Sequence, residues 1–263
     1  MSQRRALCIG IDDYPGPESL NGAVADARDW RAMLEDVFGF QAGDLSLLTN
    51  KTATRARILS GFETLLSGLA DGDAAVFTFS GHGSYITGAA PAGSQPVICP
   101  YDMERAWIEL SDLARMTDAL TKGVRLTVVL DAGFAGTVLR AAFAESLPGV
   151  RGSDDRRARF LSPALFGKRL SMNPWSVNED AAGWNATVYT ACGRQQYAEE
   201  AFVDGAHRGV FSYAAVRTLR AAQGKLTPKQ LLVATTTWLR GHGFNQTPAV
   251  VGRQAKTRRS AFI

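Results

Sequence analysis

Two short apolar runs constrain this chain more than anything else in it. One is Phe77-Thr78-Phe79-Ser80-Gly81-His82-Gly83; the other is Val128-Val129-Leu130-Asp131-Ala132-Gly133-Phe134-Ala135-Gly136. Each is dense in β-branched and aromatic residues and stops abruptly in small residues beside an ionisable group. Runs of this kind read as strands buried on both faces, which requires a largely parallel sheet with helices packed above and below. In such a sheet the groups that do chemistry gather at the carboxyl edge, where both runs end.

The remaining pattern alternates as an α/β protein should. It predicts strands at about 5–11, 45–48, 74–80, 96–99, 125–131 and 186–191, and helices at about 21–37, 54–69, 111–121, 208–222 and 227–239. Thr54 suits the N-cap of the second helix, whose apolar positions Ile58, Phe62, Leu65, Leu66 and Leu69 recur at helical spacing. With 263 residues, 46% of them hydrophobic, the chain can bury a large core as a single domain, 1–263. Between Ala141 and Asn185 the periodicity gives way to Gly, Pro, Ser and charge, and so long a loop within a domain is functional or disordered.

Composition removes several classes. No apolar run follows Met1-Ser2-Gln3-Arg4-Arg5, and none of about 18 residues occurs later, so neither a secretory signal nor a membrane span is expected. Cys8, Cys99 and Cys192 are spaced for neither a metal site nor a disulfide framework, and read as reduced thiols in a cytoplasmic protein. Much of the net charge of +4 is local, in Arg151, Arg156, Arg157, Arg159, Lys168 and Arg169 and again in Lys256, Arg258 and Arg259. No aromatic residues interleave with these clusters as a stacking platform would require, so nucleic acid is not an expected partner. After the first strand, Gly10-Ile11-Asp12-Asp13-Tyr14 lacks the glycines of a phosphate-cradling turn.

The two strand ends resemble those of the caspase-like cysteine peptidases, in particular the metacaspases and their bacterial relatives. In that family one strand ends in Ser-Gly-His-Gly and a later one in Asp-x-Cys-x-(Ser/Ala)-Gly. The likeness extends to Arg5-Ala6-Leu7-Cys8-Ile9-Gly10-Ile11, Leu20-Asn21-Gly22-Ala23-Val24-Ala25-Asp26-Ala27, Val97-Ile98-Cys99-Pro100-Tyr101-Asp102, Thr190 through Glu200, and Gly209-Val210-Phe211-Ser212-Tyr213. It implies a caspase-like α/β domain with a mostly parallel central sheet between two layers of helices. It also implies a cysteine endopeptidase with His82 as the base, and it places Gly133 where the nucleophilic thiol should stand.

The chemistry explains why those residue types are wanted. A peptide carbonyl is attacked by a thiolate, which needs an imidazole to take its proton. The oxyanion that forms needs preorganised donors, and the resemblance assigns these to the backbone N–H groups of Gly83 and position 133. Glycine at 133 keeps the donor and supplies no attacking atom, so this chain is expected to be catalytically inactive. His82 is singled out from the second Gly-His-Gly, around His242, because it ends an apolar strand, whereas His242 follows a helix and His207 has no strand behind it.

In metacaspases the positions matching Asp26, Ser80 and Asp131 line the pocket for the residue before the scissile bond. Asp131 lies two residues before Gly133, so strand alternation puts both on one face. Two carboxylates in a narrow pocket favour Arg, or Lys, in protein or peptide substrates. Asp26 also reads simply as a first-turn acid stabilised by its helix dipole. The family's processing segment corresponds to the 141–185 loop, which makes Arg151, Arg157, Arg159 and Arg169 candidate cleavage sites for an upstream activating protease; the plainer reading is a surface insertion with solubilising arginines. The segment Ser84 to Gln95 has no carboxylate, so calcium dependence is not expected, and nothing suggests another cofactor or metal. Two functions compete: an Arg/Lys-specific endopeptidase whose nucleophile has been replaced, and a natural pseudopeptidase that binds a peptide or partner in a bacterial signalling or defence cascade. Retention of His82, Asp26, Ser80, Asp131, Gly83 and Gly136 favours the first.

Overall fold

The strands expected from the apolar runs lie side by side in one sheet, and helices cover both of its faces. The computed structural model describes residues 2–14, 18–87, 94–104, 107–134, 156–162, 183–193, 196–255 and 260–263. The elements are β1 (Arg4–Gly10), α1 (Ala23–Phe38), β2 (Leu45–Thr49), α2 (Arg55–Leu66), β3 (Ala74–Ser80), β4 (Gly83–Thr87), β5 (Ser94–Ile98), β6 (Ile108–Glu109), α3 (Leu110–Met116), β7 (Arg125–Asp131), β8 (Arg157–Ala158), β9 (Thr187–Thr190), β10 (Glu199–Val203), β11 (Ala206–Gly209), α4 (Val210–Ala221), α5 (Pro228–Gly241) and β12 (Ala249–Val251). The central sheet runs β12-β9-β7-β3-β1-β2. Its neighbours are parallel throughout except at the β12 edge.

Alternation along the strands divides the core in two. Leu7 and Ile9 of β1 join Ile58 and Phe62 of α2 and Leu110 and Leu113 of α3 in one buried cluster. Ala6 and Cys8 face the other way, toward Trp30 and Leu34 of α1, Phe211 and Ala215 of α4 and Leu231 of α5. Every residue of β3 is buried, which is why its sequence shows no polar period. Cys8, Cys99 and Cys192 are all buried, and none forms a disulfide among the described residues.

Three departures from the sequence reading have physical causes. The strand expected at 96–99 is β5, which pairs antiparallel with β4 and β6 in a separate small sheet. The helix expected to reach 121 ends at Met116 and tightens into a 3-10 turn over Thr117–Ala119, where the Thr117 hydroxyl bonds back to the Ala114 carbonyl. The β10–β11 hairpin was not expected, because Glu199 and Glu200 hide its strand character while the fold buries Glu200 completely.

Register brings the ends of the sheet together. Gly10 of β1 pairs with Ser80 of β3, and Ser80 pairs with Asp131 of β7, so the three strands finish level. A Cβ on Gly10 would come within 2.7 Å of the Val24 Cα, so glycine there lets the start of α1 lie directly against the strand end. The helix has no cap of its own. Asp12 accepts from the Ala23 and Val24 N–H groups at 2.7 and 3.2 Å, and Glu200 from those of Asn21 and Gly22 at 2.8 and 3.1 Å.

Candidate active site

Asp26, Ser80, His82, Gly83, Asp131 and Gly133, all expected site residues, meet at this edge, and a segment the sequence reading treated as loop lies across them. Residues 156–162 run along the edge in extended form. Ala158 and Arg157 of β8 pair antiparallel with Glu199 and Glu200 of β10, and the Arg159 N–H donates to the Ala198 carbonyl at 2.8 Å. Beyond Arg159 the chain passes to the β4 side: Phe160 bridges to Gly83, and the Leu161 N–H donates to the Gly83 carbonyl at 2.9 Å.

Arg159 is fully buried, and its side chain fills the acidic pocket. Nη2 lies 2.8 Å from Asp26 Oδ2 and 3.4 Å from Glu200 Oε2, while Nη1 lies 3.3 Å from Asp131 Oδ2 and donates to Ser80 Oγ at 2.5 Å. Ser80 Oγ in turn donates to Asp26 Oδ2 at 2.7 Å. The acids are held in place by backbone: both Asp26 oxygens accept from the Gly209 N–H at 3.0 Å, and Asp131 Oδ2 accepts from the Ser212 N–H, in the first turn of α4, at 3.0 Å. Asp26 therefore does more than complement the dipole of α1. Burial and the neighbouring Asp131 push its carboxyl above the ordinary range, and the Arg159 guanidinium pulls it back. Burial works against the charge on Arg159 as well, but Asp26, Asp131 and Glu200 outweigh it and hold the guanidinium protonated.

The backbone of Arg159 is placed as closely as its side chain. Its carbonyl oxygen accepts from the N–H of Gly133 at 2.8 Å and from that of Gly83 at 3.1 Å. Two convergent N–H donors at this range are the geometry that stabilises an oxyanion. A Cβ on Gly133 would lie 3.5 Å from the Arg159 carbonyl carbon and 3.1 Å from its oxygen, so any side chain there faces the Arg159–Phe160 peptide bond.

His82 stands next to these donors. Its Nε2 lies 2.6 Å from the Glu18 carbonyl, which can only accept, so the neutral ring carries its proton there and leaves Nδ1 as the basic nitrogen. Nδ1 is buried and has no hydrogen-bond partner among the described residues. Burial is the main reason the imidazole pKa falls to about 4; the bond to the Glu18 carbonyl opposes the drop, and the Arg159 guanidinium adds to it. Tyr14 fixes the loop, accepting from the His82 N–H at 3.0 Å and donating to the Cys99 carbonyl at 3.0 Å, with its ring 4.6 Å from the imidazole.

Of the candidate cleavage sites, Arg157 is exposed and donates to the Ser19 carbonyl at 2.6 Å. Arg151 and Arg169 lie outside the described residues, as does most of the 141–185 loop. At Arg159 the reading of solubilising surface arginines is overturned by complete burial. His242 caps the end of α5, stacked on Trp238 at 4.0 Å. Sequence reasoning missed Glu200 and Tyr14 as parts of this site. No local pattern marks a buried acid on a hairpin strand.

The comparisons with known proteins agree with this architecture. The model of the metacaspase, peptidase C14 domain matches residues 4–142. Metacaspase-1B of Aspergillus oryzae is 26% identical over 255 residues, covering 83% of this chain and 61% of that protein. Metacaspase-1 of Kluyveromyces lactis is 31% identical over 159 residues, covering 56% and 37%. The chain thus spans less than two thirds of the length of these relatives. A crystal structure of a Geobacter sulfurreducens protein has the same fold, with a TM-score of 0.71 at 21% identity over 98% of this chain and 97% of that one. The architecture is that of the caspase-like cysteine peptidases. Within that class, the chain belongs to the metacaspase family.

Proposed function

We propose that the cleft is an arginine-directed endopeptidase site which, with Gly133 where the family's cysteine would stand, holds a polypeptide in register for cleavage without cutting it. The carrying observation is the double placement of Arg159, its guanidinium among Asp26, Asp131, Glu200 and Ser80 and its carbonyl oxygen between the N–H groups of Gly83 and Gly133. A planar fork meeting acceptors on two sides favours Arg over the point charge of Lys. His82 Nδ1 is the base, Gly83 and Gly133 are the oxyanion donors, and Arg159 is the residue of the 141–185 loop that the pocket reads. Without a thiol the remaining parts give at most the residual rate of oxyanion stabilisation and binding.

The test is the Gly133→Cys variant. Its Cβ needs the Arg159 backbone to yield by a few tenths of an ångström. The introduced thiol would pass its proton to His82, attack the Arg159 carbonyl carbon and break the bond to the Phe160 nitrogen, which takes the proton back; water then releases the thioester. We expect the variant to cut itself after Arg159, to hydrolyse Arg better than Lys fluorogenic peptides and Asp peptides not at all, and the parent to do neither. A folded variant that stays intact and hydrolyses none of them would overturn the reading.

A second reading, a natural pseudopeptidase acting as a peptide-binding module, shares the same cleft. It is favoured by the room Gly133 leaves, since any Cβ would crowd the Arg159 oxygen at 3.1 Å.

A further inference from the structure

The segment in the cleft is held unevenly on the two sides of Arg159. On its N-terminal side Arg156, Arg157 and Ala158 are exposed: backbone joins Arg157 and Ala158 to β10, and the two arginines make surface contacts only, Arg156 with Glu199 at 3.9 Å and over the Phe244 ring at 4.4 Å, Arg157 with the Ser19 carbonyl at 2.6 Å. On its C-terminal side the side chains are engaged. The Phe160 ring stacks on Tyr85, centroids 6.1 Å apart at 19°, and meets Tyr197 edge-on, also at 6.1 Å. Leu161 is fully buried in the same core cluster as Phe134 and Ile108. Its backbone is tied at both ends, N–H to the Gly83 carbonyl at 2.9 Å and carbonyl to Ser84 Oγ at 2.7 Å.

We infer that the cleft reads an aromatic residue and then an aliphatic one immediately after the arginine, so that its ligand is an extended Arg-aromatic-aliphatic segment of which Arg159-Phe160-Leu161 is the built-in copy. This rests on the reading of the acidic pocket as an arginine site and extends it to the other side of the peptide bond. The main-chain bonds to β10 and β4 act as strand addition, which supplies affinity, while the alternate pockets supply selectivity. A ring between two aromatic neighbours at these distances and a leucine removed from water are each worth about a tenfold change in occupancy. A tethered segment acts at an effective concentration in the millimolar range, so a partner's segment enters only when 156–162 is out of the cleft.

The experiment uses the full chain with Arg159→Ala, Phe160→Ala and Leu161→Ala combined, which empties the cleft of its own side chains. Fluorescence anisotropy then compares blocked pentapeptides with Arg-Phe-Leu, Arg-Ala-Ala and Lys-Phe-Leu cores. Binding of Arg-Phe-Leu at least tenfold tighter than Arg-Ala-Ala is expected. Equal binding of these two overturns the inference and leaves the arginine pocket standing. No binding of any peptide to the folded variant overturns both.

Should the triple variant not fold, amide exchange on single variants of the parent decides. Phe160→Ala and Leu161→Ala should each speed exchange at Gly83 and Gly133 about tenfold, with the β3–β7 ladder unchanged, and Arg157→Ala should not. If Arg159→Ala alone speeds those two amides, the inference fails and the pocket survives; if Arg159→Ala leaves them unchanged, the pocket reading fails with it.

Discussion

His82 is the residue at which environment most changes chemistry. An imidazole held at a pKa of about 4 is neutral throughout the physiological range, so it can accept a proton and cannot act as a standing cation. The unfolded chain protonates the same ring near 6.5, so between these values it binds more protons than the native state, and stability rises with pH. The full difference, about 3 kcal/mol, is present above pH 6.5 and lost as pH falls through about 4. Asp26, whose carboxyl is raised, works in the opposite direction, so the parent's own profile mixes the two. Denaturant titrations of the parent and of His82→Gln at several pH values between 4 and 7 should isolate the histidine. The difference between the two proteins should grow with pH, and a difference independent of pH would refute this account. The sequence supplied His82 and Asp131 because each sits at the end of an apolar strand, and Asp26 and Ser80 through the resemblance to metacaspases. Glu200 was not legible, since its role depends on a hairpin that folds back over the start of α1.

At the scale of elements, the acidic pocket is built where two helices begin. The first N–H groups of α1 are taken by Asp12 and Glu200, and those of α4 by Asp26 and Asp131. Unpaired helix donors thus orient the carboxylates that face the arginine. Gly209, just before α4, leaves the room this needs: a Cβ there would collide with Arg159 Nη1 and Asp131 Oδ2 and come within 2.6 Å of Asp26 Oδ2. We expect Gly209→Ala to expel Arg159 and to cost about 3–5 kcal/mol, the price of leaving buried charges unpaired. Gly43, with open space around its Cβ direction, should accept alanine within about 0.5 kcal/mol. Chemical denaturation of both variants checks the contrast. The pattern of strands was legible because buried parallel strands carry continuous apolar runs. The β10–β11 hairpin, with a buried glutamate and an exposed Phe202, was not.

For the whole molecule, the cleft is closed by the chain's own segment, and this has a simple consequence for proteolysis. Trypsin must draw an arginine side chain into its own pocket, and Arg159 is completely buried while Arg157, two residues away, is exposed. Brief tryptic digestion of the native parent should therefore leave the Arg159–Phe160 bond uncut, and Gly209→Ala should expose it. Mass spectrometry of the fragments reads both. Early cleavage at 159–160 in the parent would show that the segment does not occupy the cleft in solution.

Apolar runs, their abrupt ends and the order of elements determined the fold class from sequence alone, because burial on both faces of a sheet admits few other patterns. The same runs located His82 and Gly133, each two residues beyond strand ends that the sheet pairs, Ser80 with Asp131. Only the tertiary structure decided what fills the cleft. Arg159 reads as one charge among several in an irregular stretch, and its burial follows from three carboxylates contributed by α1, β7 and β10, elements far apart in the chain. Local sequence carries propensity and period; convergence of distant charges on one side chain is a property of the folded chain.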